Sequence, residues 1–448
     1  MSVIDAITAC STRTNSVDQA LATAYAARRS YRELPAHVRM SALRNAAASV
    51  LAKRETMART IVSEGVKTIR EARREVDRCH DTLLLAAEEA RRLGGEYVNF
   101  GQSAAASGRI GWWERRPLGV VVGITPYNDP LNLVAHKIAP AVAAGAPIII
   151  KPHPRTPTSA YELAHAFSGS GLPNGAIQIL EAGNAQAVEL VSDARTSFVS
   201  FTGGKQAGEA ISRHALGKRL ALELGGVCVA AVASDADVPR AADALASGIV
   251  WAAGQNCVHT QRIFAERSVF EPLARSLTDR LQALCWDDPF SEMADYGSLI
   301  SDEHADRVHA QIVDACGRGA TLLAGGRRFG RRIEPTLLTG VPDDHPLARE
   351  EIFAPVAAIE AVDSLTEAEK RAAEGGAMIN SAIFTNRLDS ILSWHNALDA
   401  GATIVNDSTD FRIDAMPFGG NGGAGLGREG IRFAIEAMTE PKLICMRI

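Results

Sequence analysis

No C-x-x-C pair occurs in the 448 residues, and the seven cysteines (Cys10, Cys79, Cys228, Cys257, Cys285, Cys316 and Cys445) are odd in number and widely scattered. That spacing excludes a disulfide framework or a zinc ribbon, fits a reducing compartment, and leaves no metal site expected. Long apolar runs are also missing: the longest, Ile138 to Ile150, is too short to span a bilayer and is bounded by Lys137 and Lys151. Met1 to Ala20 has polar residues throughout and no apolar central block, so no signal peptide is expected and the cytoplasm is the expected location. There is no basic excess either. Lys+Arg number 47 against Asp+Glu 52, a formal net charge of -5, which argues against a nucleic-acid partner. The run Arg70 to Arg78 is interleaved with Glu71, Glu75 and Asp77 at helical spacing and reads as a solvated helix face. Internal repeats and low-complexity linkers are absent too. What is there is an ordinary globular composition, 46% hydrophobic and 22% charged, on a chain too long for one core. Two or more large domains are expected.

From Ser16, which forms a capping pattern with Gln19, to about Leu93 the chain is rich in Ala, Arg, Glu and Leu and reads as helical. Between Gly101 and Leu118, Ile110, Trp112 and Trp113 at uneven spacing suggest an exposed strand or hairpin suited to a subunit contact. After Leu118 short apolar runs alternate with helical stretches: Gly119–Ile124, Asn132–Ala144, Pro147–Lys151, then a helix from Thr158. Ile177–Leu180, Phe198–Phe201 and Ala221–Leu224 continue the series, with helices opening near Asn184 and Lys205. This rhythm predicts α/β architecture with parallel strands and crossover helices. A second α/β region runs from Val227 to about Gly430, and Glu440–Ile448 reads as a closing strand.

Four short segments carry chemistry. In Gly254-Gln255-Asn256-Cys257 a cysteine sits on a polar turn, where backbone N–H groups can activate a thiolate. Taken alone, the same residue is better explained as a small core side chain. In Leu222-Glu223-Leu224-Gly225-Gly226 a carboxylate stands among apolar residues, where burial raises its pKa into the range of a general base; a structural ion pair is an equal alternative. In Thr125-Pro126-Tyr127-Asn128-Asp129-Pro130, directly after a strand, the Asn128 amide can donate to a developing oxyanion or simply cap a helix. Finally, Phe201-Thr202-Gly203-Gly204-Lys205 is a glycine turn of the kind that admits a dinucleotide pyrophosphate to a helix N-terminus, or a plain tight turn.

Taken in order, these stretches resemble the aldehyde dehydrogenase superfamily. The resemblance runs from about Ser16 to the C-terminus through TPYNDP (125–130), KIAPAVAAG (137–145), KPHPRTP (151–157), SFTGGKQAG (200–208), LELGG (222–226), GQNC (254–257), EEIFAPV (350–356) and MPFGGNGGAGLGREG (416–430). It implies a Rossmann-type cofactor domain over 1–104 and 118–225 and an α/β catalytic domain over 226–432. A small β oligomerisation element at 105–117 and 433–448 would make a homodimer or homotetramer. It further implies Cys257 as nucleophile, Glu223 as the base that activates water, Asn128 with the Cys257 N–H as oxyanion donors, and Lys137 as a lysine that orders the site. Thr125, Pro126, Tyr127, Lys151, His153, Arg155, Gly203, Gly204, Leu224, Gly225, Glu351 and Phe353 are the implied contacts of NAD or NADP. Glu429 aligns with an acidic residue near the water path.

Several residues depart from the family pattern. Pro154 stands where Glu often accepts from the adenosine ribose, so less repels a 2′-phosphate, and Arg155 or His153 could favour one. Ala354, Gly422 and Ala424 replace the usual Gly, Lys and Ser. By resemblance the substrate tunnel involves Tyr127, Asp129, Leu131, Asn256, Val258, His259 and the loop Ser408–Arg412. Asp129, His259, Asp410 and Arg412 make it polar, which predicts a small polar or charged aldehyde as substrate. Two alternatives are a dehydrogenase that passes the acyl group to coenzyme A, which Glu223 argues against, and an idle scaffold on the same fold.

Overall fold

The computed structural model describes residues 11–14, as backbone, and residues 16–448; Cys10 and most of the segment tested for a signal peptide lie outside the described residues. Four helices open the chain: α1 (Val17–Glu33), α2 (Ala36–Ala52), α3 (Arg54–Glu64) and α4 (Ile69–Arg92). Their starts follow local chemistry. The Ser16 hydroxyl accepts from the Gln19 N–H at 3.3 Å, the capping pair expected from sequence, and Thr68 and Glu71 cap α4 reciprocally.

The first sheet has the order Ser11–Thr14, Ile177–Leu180, Ile148–Lys151, Val120–Ile124, Thr196–Gly203, Arg219–Leu224, Gly425–Leu426. All neighbours are parallel except the last, which runs antiparallel with Gly425 opposite Glu223. Val120–Ile124 and Ile148–Lys151 read as unbroken apolar runs because helices cover both faces and every residue in them is buried. The helix Asn132–Ala144 is likewise buried at every position and ends at Gly145, whose φ of 77° suits only a residue without Cβ.

The second sheet has the order Thr321–Ala324, Thr336–Thr339, Val356–Val362, Thr260–Glu266, Cys228–Val232, Asn380–Phe384, Ala402–Val405, with only the first strand antiparallel. A third sheet joins Thr439–Arg447 to Arg109–Pro117 and that to Gly95–Tyr97. No described helix is long and apolar enough to cross a membrane.

The structure alters three readings. Arg70 to Arg78 is not a wholly solvated face: Arg70 and Arg73 pair at the surface, but Glu71 and Glu75 are 5% and 1% exposed and point into the molecule with Ala72, Val76 and Cys79. Arg109–Pro117 is a nine-residue strand, and it takes a second partner, Gly95–Tyr97, from within the segment read as cofactor domain. Gly425–Leu426, read as part of the second unit, returns to the edge of the first sheet.

Candidate active site

The parallel strands of the first sheet all end on one side, and the residues read as functional sit just beyond those ends: Thr125 to Asp129 after Ile124, Gly204 after Gly203, Gly225 after Leu224. Cys257 approaches from the second unit. Helix Val238–Val250 stops at a turn, Trp251–Gly254, in which Ala252 and Ala253 both have φ of 53° and Gly254 has φ of 67°. Two alanines in this left-handed region cost about 1–3 kcal/mol each, so the surroundings must hold them. Glu71 of α4 accepts from the Ala252 N–H at 2.8 Å, and a Cβ at Gly254 would meet the Ala354 backbone at 2.2 Å. The Gln255 side chain then takes the Ile300 N–H at 3.0 Å and the Tyr127 hydroxyl at 3.2 Å. Glu75, one turn along α4, accepts from the N–H groups of Leu131 and Asn132 at 2.8 and 3.0 Å, and so fixes the loop that carries Asn128.

Cys257 is half-buried, its thiol lies 3.8 Å from the Asn256 Oδ1, and the buried Glu223 carboxyl is close enough to perturb it. Burial, then the Glu223 charge, push the thiol pKa well above its ordinary value. Burial and the nearby Glu429 carboxylate raise Glu223 to about 7, and burial and Glu223 raise Glu351 to about 8. Glu429 goes the other way. Burial opposes its charge, but Lys137 at 3.2 Å and Arg412 at 3.5 Å hold it well below the usual carboxylate range. Lys137 is fully buried and also donates to Ser200 at 3.0 Å and Thr202 at 2.8 Å.

Two pockets meet at this cluster. One, of about 730 Å³, runs over the strand ends; the other, of about 310 Å³, opens between the α4 arginines and the loop 407–412. Cys257, Asn128 and Leu133 line both. In the larger cleft stand Pro126, Tyr127, Gly203, Gly204, Gly225, Glu351 and Phe353, all of them expected cofactor contacts. The Gly203-Gly204 turn opens the helix Lys205–His214, and a Cβ on Gly204 would meet nothing within 4 Å. Glu351 Oε1 is buried without a hydrogen-bond partner, and its carboxylate lies on Gly225, where a Cβ would come within 2.0 Å of it. Phe353 adopts φ of 52°, is held through its carbonyl by His304 at 2.8 Å, and packs edge-on to Tyr127. A glycine turn at a helix N-terminus and an unpartnered carboxylate oxygen fit a dinucleotide with its pyrophosphate and ribose ends.

The other expected cofactor residues lie behind the cleft wall or beside it. Thr125 and Lys151 are buried at adjacent strand ends, and Leu224 packs over Gly208. Burial, Lys151 and Arg155 drive His153 down to about 4, so its ring is neutral near pH 7 and cannot attract a phosphate by charge. Of the two candidates for that task only Arg155 is cationic. Sequence reasoning missed His304, Arg307 and Gln311, which line the same cleft from helix Asp302–Gly317.

In the smaller pocket Asp129, Asn256, Val258, Asp410 and Arg412 appear as expected. Leu131 and His259 do not: Leu131 is fully buried, and His259 is 4% exposed. Its neighbour Val258 takes the lining position. Asp129 lines the pocket but is engaged by Lys67 and by Arg78 at 3.6 Å. Arg74, Arg78 and Trp251 were missed as lining residues. The four-residue spacing Lys67, Glu71, Glu75 is the signal that one face of α4 carries buried charge, with Arg74 and Arg78 in step beside it.

Comparison with known proteins agrees with this geometry. The aldehyde dehydrogenase family model matches residues 2–444. A putative aldehyde-dehydrogenase-like protein of Sinorhizobium fredii is 42% identical over 96% of this chain and 84% of its own. Aspartate-semialdehyde dehydrogenase 1 of Pseudomonas canavaninivorans is 40% identical over 96% of this chain and 92% of its own. The glyceraldehyde-3-phosphate dehydrogenase GapN of Methanocaldococcus jannaschii, solved with NADP, superposes with a TM-score of 0.92 at 35% identity, covering 96% and 94% of the two chains.

Proposed function

The chain belongs to the aldehyde dehydrogenase family, and from that premise we propose that Cys257 is its nucleophile, Glu223 its base and Asn128 its oxyanion donor. The enzyme oxidises an aldehyde to the carboxylic acid with NAD or NADP as coenzyme. One observation supports the assignment most directly: Cys257 and Asn128 stand where the two pockets join, and Glu223, buried and with one carboxyl oxygen unpartnered, lines the larger of them beside the thiol.

The thiol proton passes to Glu223 as sulfur attacks the aldehyde carbon, since a thiol with so high a pKa reacts only with a base in contact. The carbonyl oxygen becomes an oxyanion, received by the Asn128 amide and the Cys257 backbone N–H. The nicotinamide, when bound, supplies the acceptor for the hydride that leaves this carbon. Cys257 is then left as a thioester. Glu223 passes the thiol proton to solvent and is a base again; it then takes a proton from water, water oxygen bonds the acyl carbon, the C–S bond breaks, the proton on Glu223 returns to the leaving thiolate, and the acid departs. Lys137, Thr202 and Glu429 hold the wall behind Glu223. Glu351, Phe353 and the Gly203-Gly204 turn orient the dinucleotide, and Arg155 is the cation available to a 2′-phosphate. A base poised over the thioester suits hydrolysis rather than transfer to coenzyme A.

The substrate we infer is small and polar, from the 310 Å³ pocket and its charged lining. The relatives named above act on an amino-acid semialdehyde and a phosphorylated triose, which supports this size class. The assembly is a homodimer or homotetramer built through the three-stranded sheet, where Tyr97, Trp112, Leu443 and Ile444 are exposed.

The test is nicotinamide reduction by purified protein against a panel of short aldehydes with each coenzyme. Reduction is expected with small polar aldehydes, reduced by about 10⁴-fold or more in Cys257→Ala. Equal turnover by the Cys257→Ala protein would remove the assignment.

A further inference from the structure

The smaller pocket holds three arginines that the proposed reaction does not use. Arg412 reaches it from the loop 407–412 with a side chain only 9% exposed, stacked 3.6 Å over the Phe418 ring. Its Nη2 lies 3.5 Å from Glu429, but its Nε is buried and donates to nothing. Arg78 enters from α4, paired with Asp414 at 2.8 Å, and its Nε is also buried and unpartnered. Arg74, one turn earlier, is exposed beside the Trp251 ring and makes no ion pair among the described residues.

The pocket carboxylates, by contrast, are engaged. Lys67 and Arg78 hold Asp129, Asp407 accepts from the Ser408 N–H at 2.8 Å, and Asp410 accepts from the Ser408 hydroxyl. Burial and Asp407 also raise the Asp410 pKa. Arg412 and Arg78 each keep a buried Nε without an acceptor, Arg74 has no ion pair among the described residues, and all three line the pocket that Cys257 also lines. A buried N–H without an acceptor is costly, and a ring-stacked guanidinium presents its edge to one.

We propose that Arg412, Arg78 and Arg74 form an anion subsite, so that the aldehyde accepted here carries a carboxylate, sulfonate or phosphate at the end remote from its carbonyl. This rests on the dehydrogenase reading above and narrows its substrate. Stacking on Phe418 fixes Arg412 against rotation, so the anion sets the register of the aldehyde over sulfur. A cationic aldehyde of equal length is repelled by the same groups.

The experiment compares kcat/KM of the full-length enzyme for 4-oxobutanoate, butanal and 4-aminobutanal, with sulfonate and phosphate analogues to rank the anions. The anion-to-neutral ratio is expected at about tenfold or more, with the amine poorest. Arg412→Gln is expected to collapse that ratio, chiefly through KM. Arg74→Gln, an exposed change that threatens no core, is expected to lower it about threefold. A ratio near one, or one that survives Arg412→Gln, overturns the subsite and leaves the dehydrogenase assignment standing. If no aldehyde is oxidised, that assignment fails instead, and calorimetric titration with butanedioate decides the subsite. Binding that Arg412→Gln abolishes supports it, and absence of binding to the wild type overturns it.

Discussion

Glu223 is buried beside Glu429, with Glu351 lining the same cleft, and burial first, then the Glu429 charge, sets its chemistry. Because Lys137 and Arg412 keep Glu429 ionised, its charge helps lift Glu223 toward neutrality. Below about pH 7 Glu223 holds a proton and can accept none, so kcat is expected to rise with pH through an apparent pKa near 7 and level off above it. Removing the neighbouring charge with Glu429→Gln should move that profile about one unit to the acid side. A pH series of steady-state rates checks both, and an unmoved profile would separate Glu429 from the base. Glu223→Gln should lose about 10²–10⁴-fold in kcat. Although only the family resemblance joined them, Cys257 and Asn128 were legible as candidates because each sits in a polar segment next to a recognisable apolar stretch, and Glu223 because it is a carboxylate among apolar residues near a strand end. His153 and His259 were not, since their roles depend on burial. Adjacency to Lys151 and Arg155 made His153 look like a cation, whereas desolvation keeps it neutral; adjacency to Cys257 made His259 look exposed, whereas it lies beneath the wall that Val258 forms.

Helix α4 works as one clamp on two loops. Its Glu71 holds the strained Ala252 turn ahead of Cys257, and its Glu75 holds the Leu131-Asn132 amides behind Asn128, with Lys67 at 2.8 Å balancing Glu75. The distance between sulfur and oxyanion donor is therefore set by a rigid helix rather than by either loop. Glu71→Ala releases the Ala252 N–H and the left-handed alanines together. It is expected to cost about 1–3 kcal/mol of stability and, through misplacement of Cys257, about 10–100-fold in kcat with a smaller change in KM. Thermal melts and steady-state kinetics on the same preparation measure both, and full kcat in a destabilised variant would confine Glu71 to packing. The helical character of this segment was plain from its composition, though its Thr68 start was not read, and the β-α-β order was plain from alternating apolar runs. Its inward carboxylates were mistaken for solvated ones because charge pattern reveals spacing but not which side meets solvent. Pairings between distant segments, such as Glu71 with Ala252, leave no local trace.

Across the whole molecule the three-stranded sheet stands out as surface without cover. Leu443 and Ile444 are consecutive, point to opposite faces and are 56% and 44% exposed, on a strand at the sheet edge. Sedimentation of the purified chain is expected to show two or four copies, and Trp112→Asp with Leu443→Asp to yield monomers; a wild-type monomer would leave that sheet unexplained. The sequence suggested a partner surface here from its tryptophans, but not the third strand at Gly95–Tyr97, which is too short to have a pattern. The strand Gly425–Leu426 has a further consequence. It lies beside Glu223 in the first sheet, yet the ribosome delivers it only after the whole second sheet. At roughly 5–20 residues per second, the edge next to Glu223 stays open for many seconds of synthesis after Glu223 itself has emerged. A nascent chain can thus present the sulfur of Cys257 before the wall around its base is closed, and competence arrives late, in a single event, when the returning segment docks.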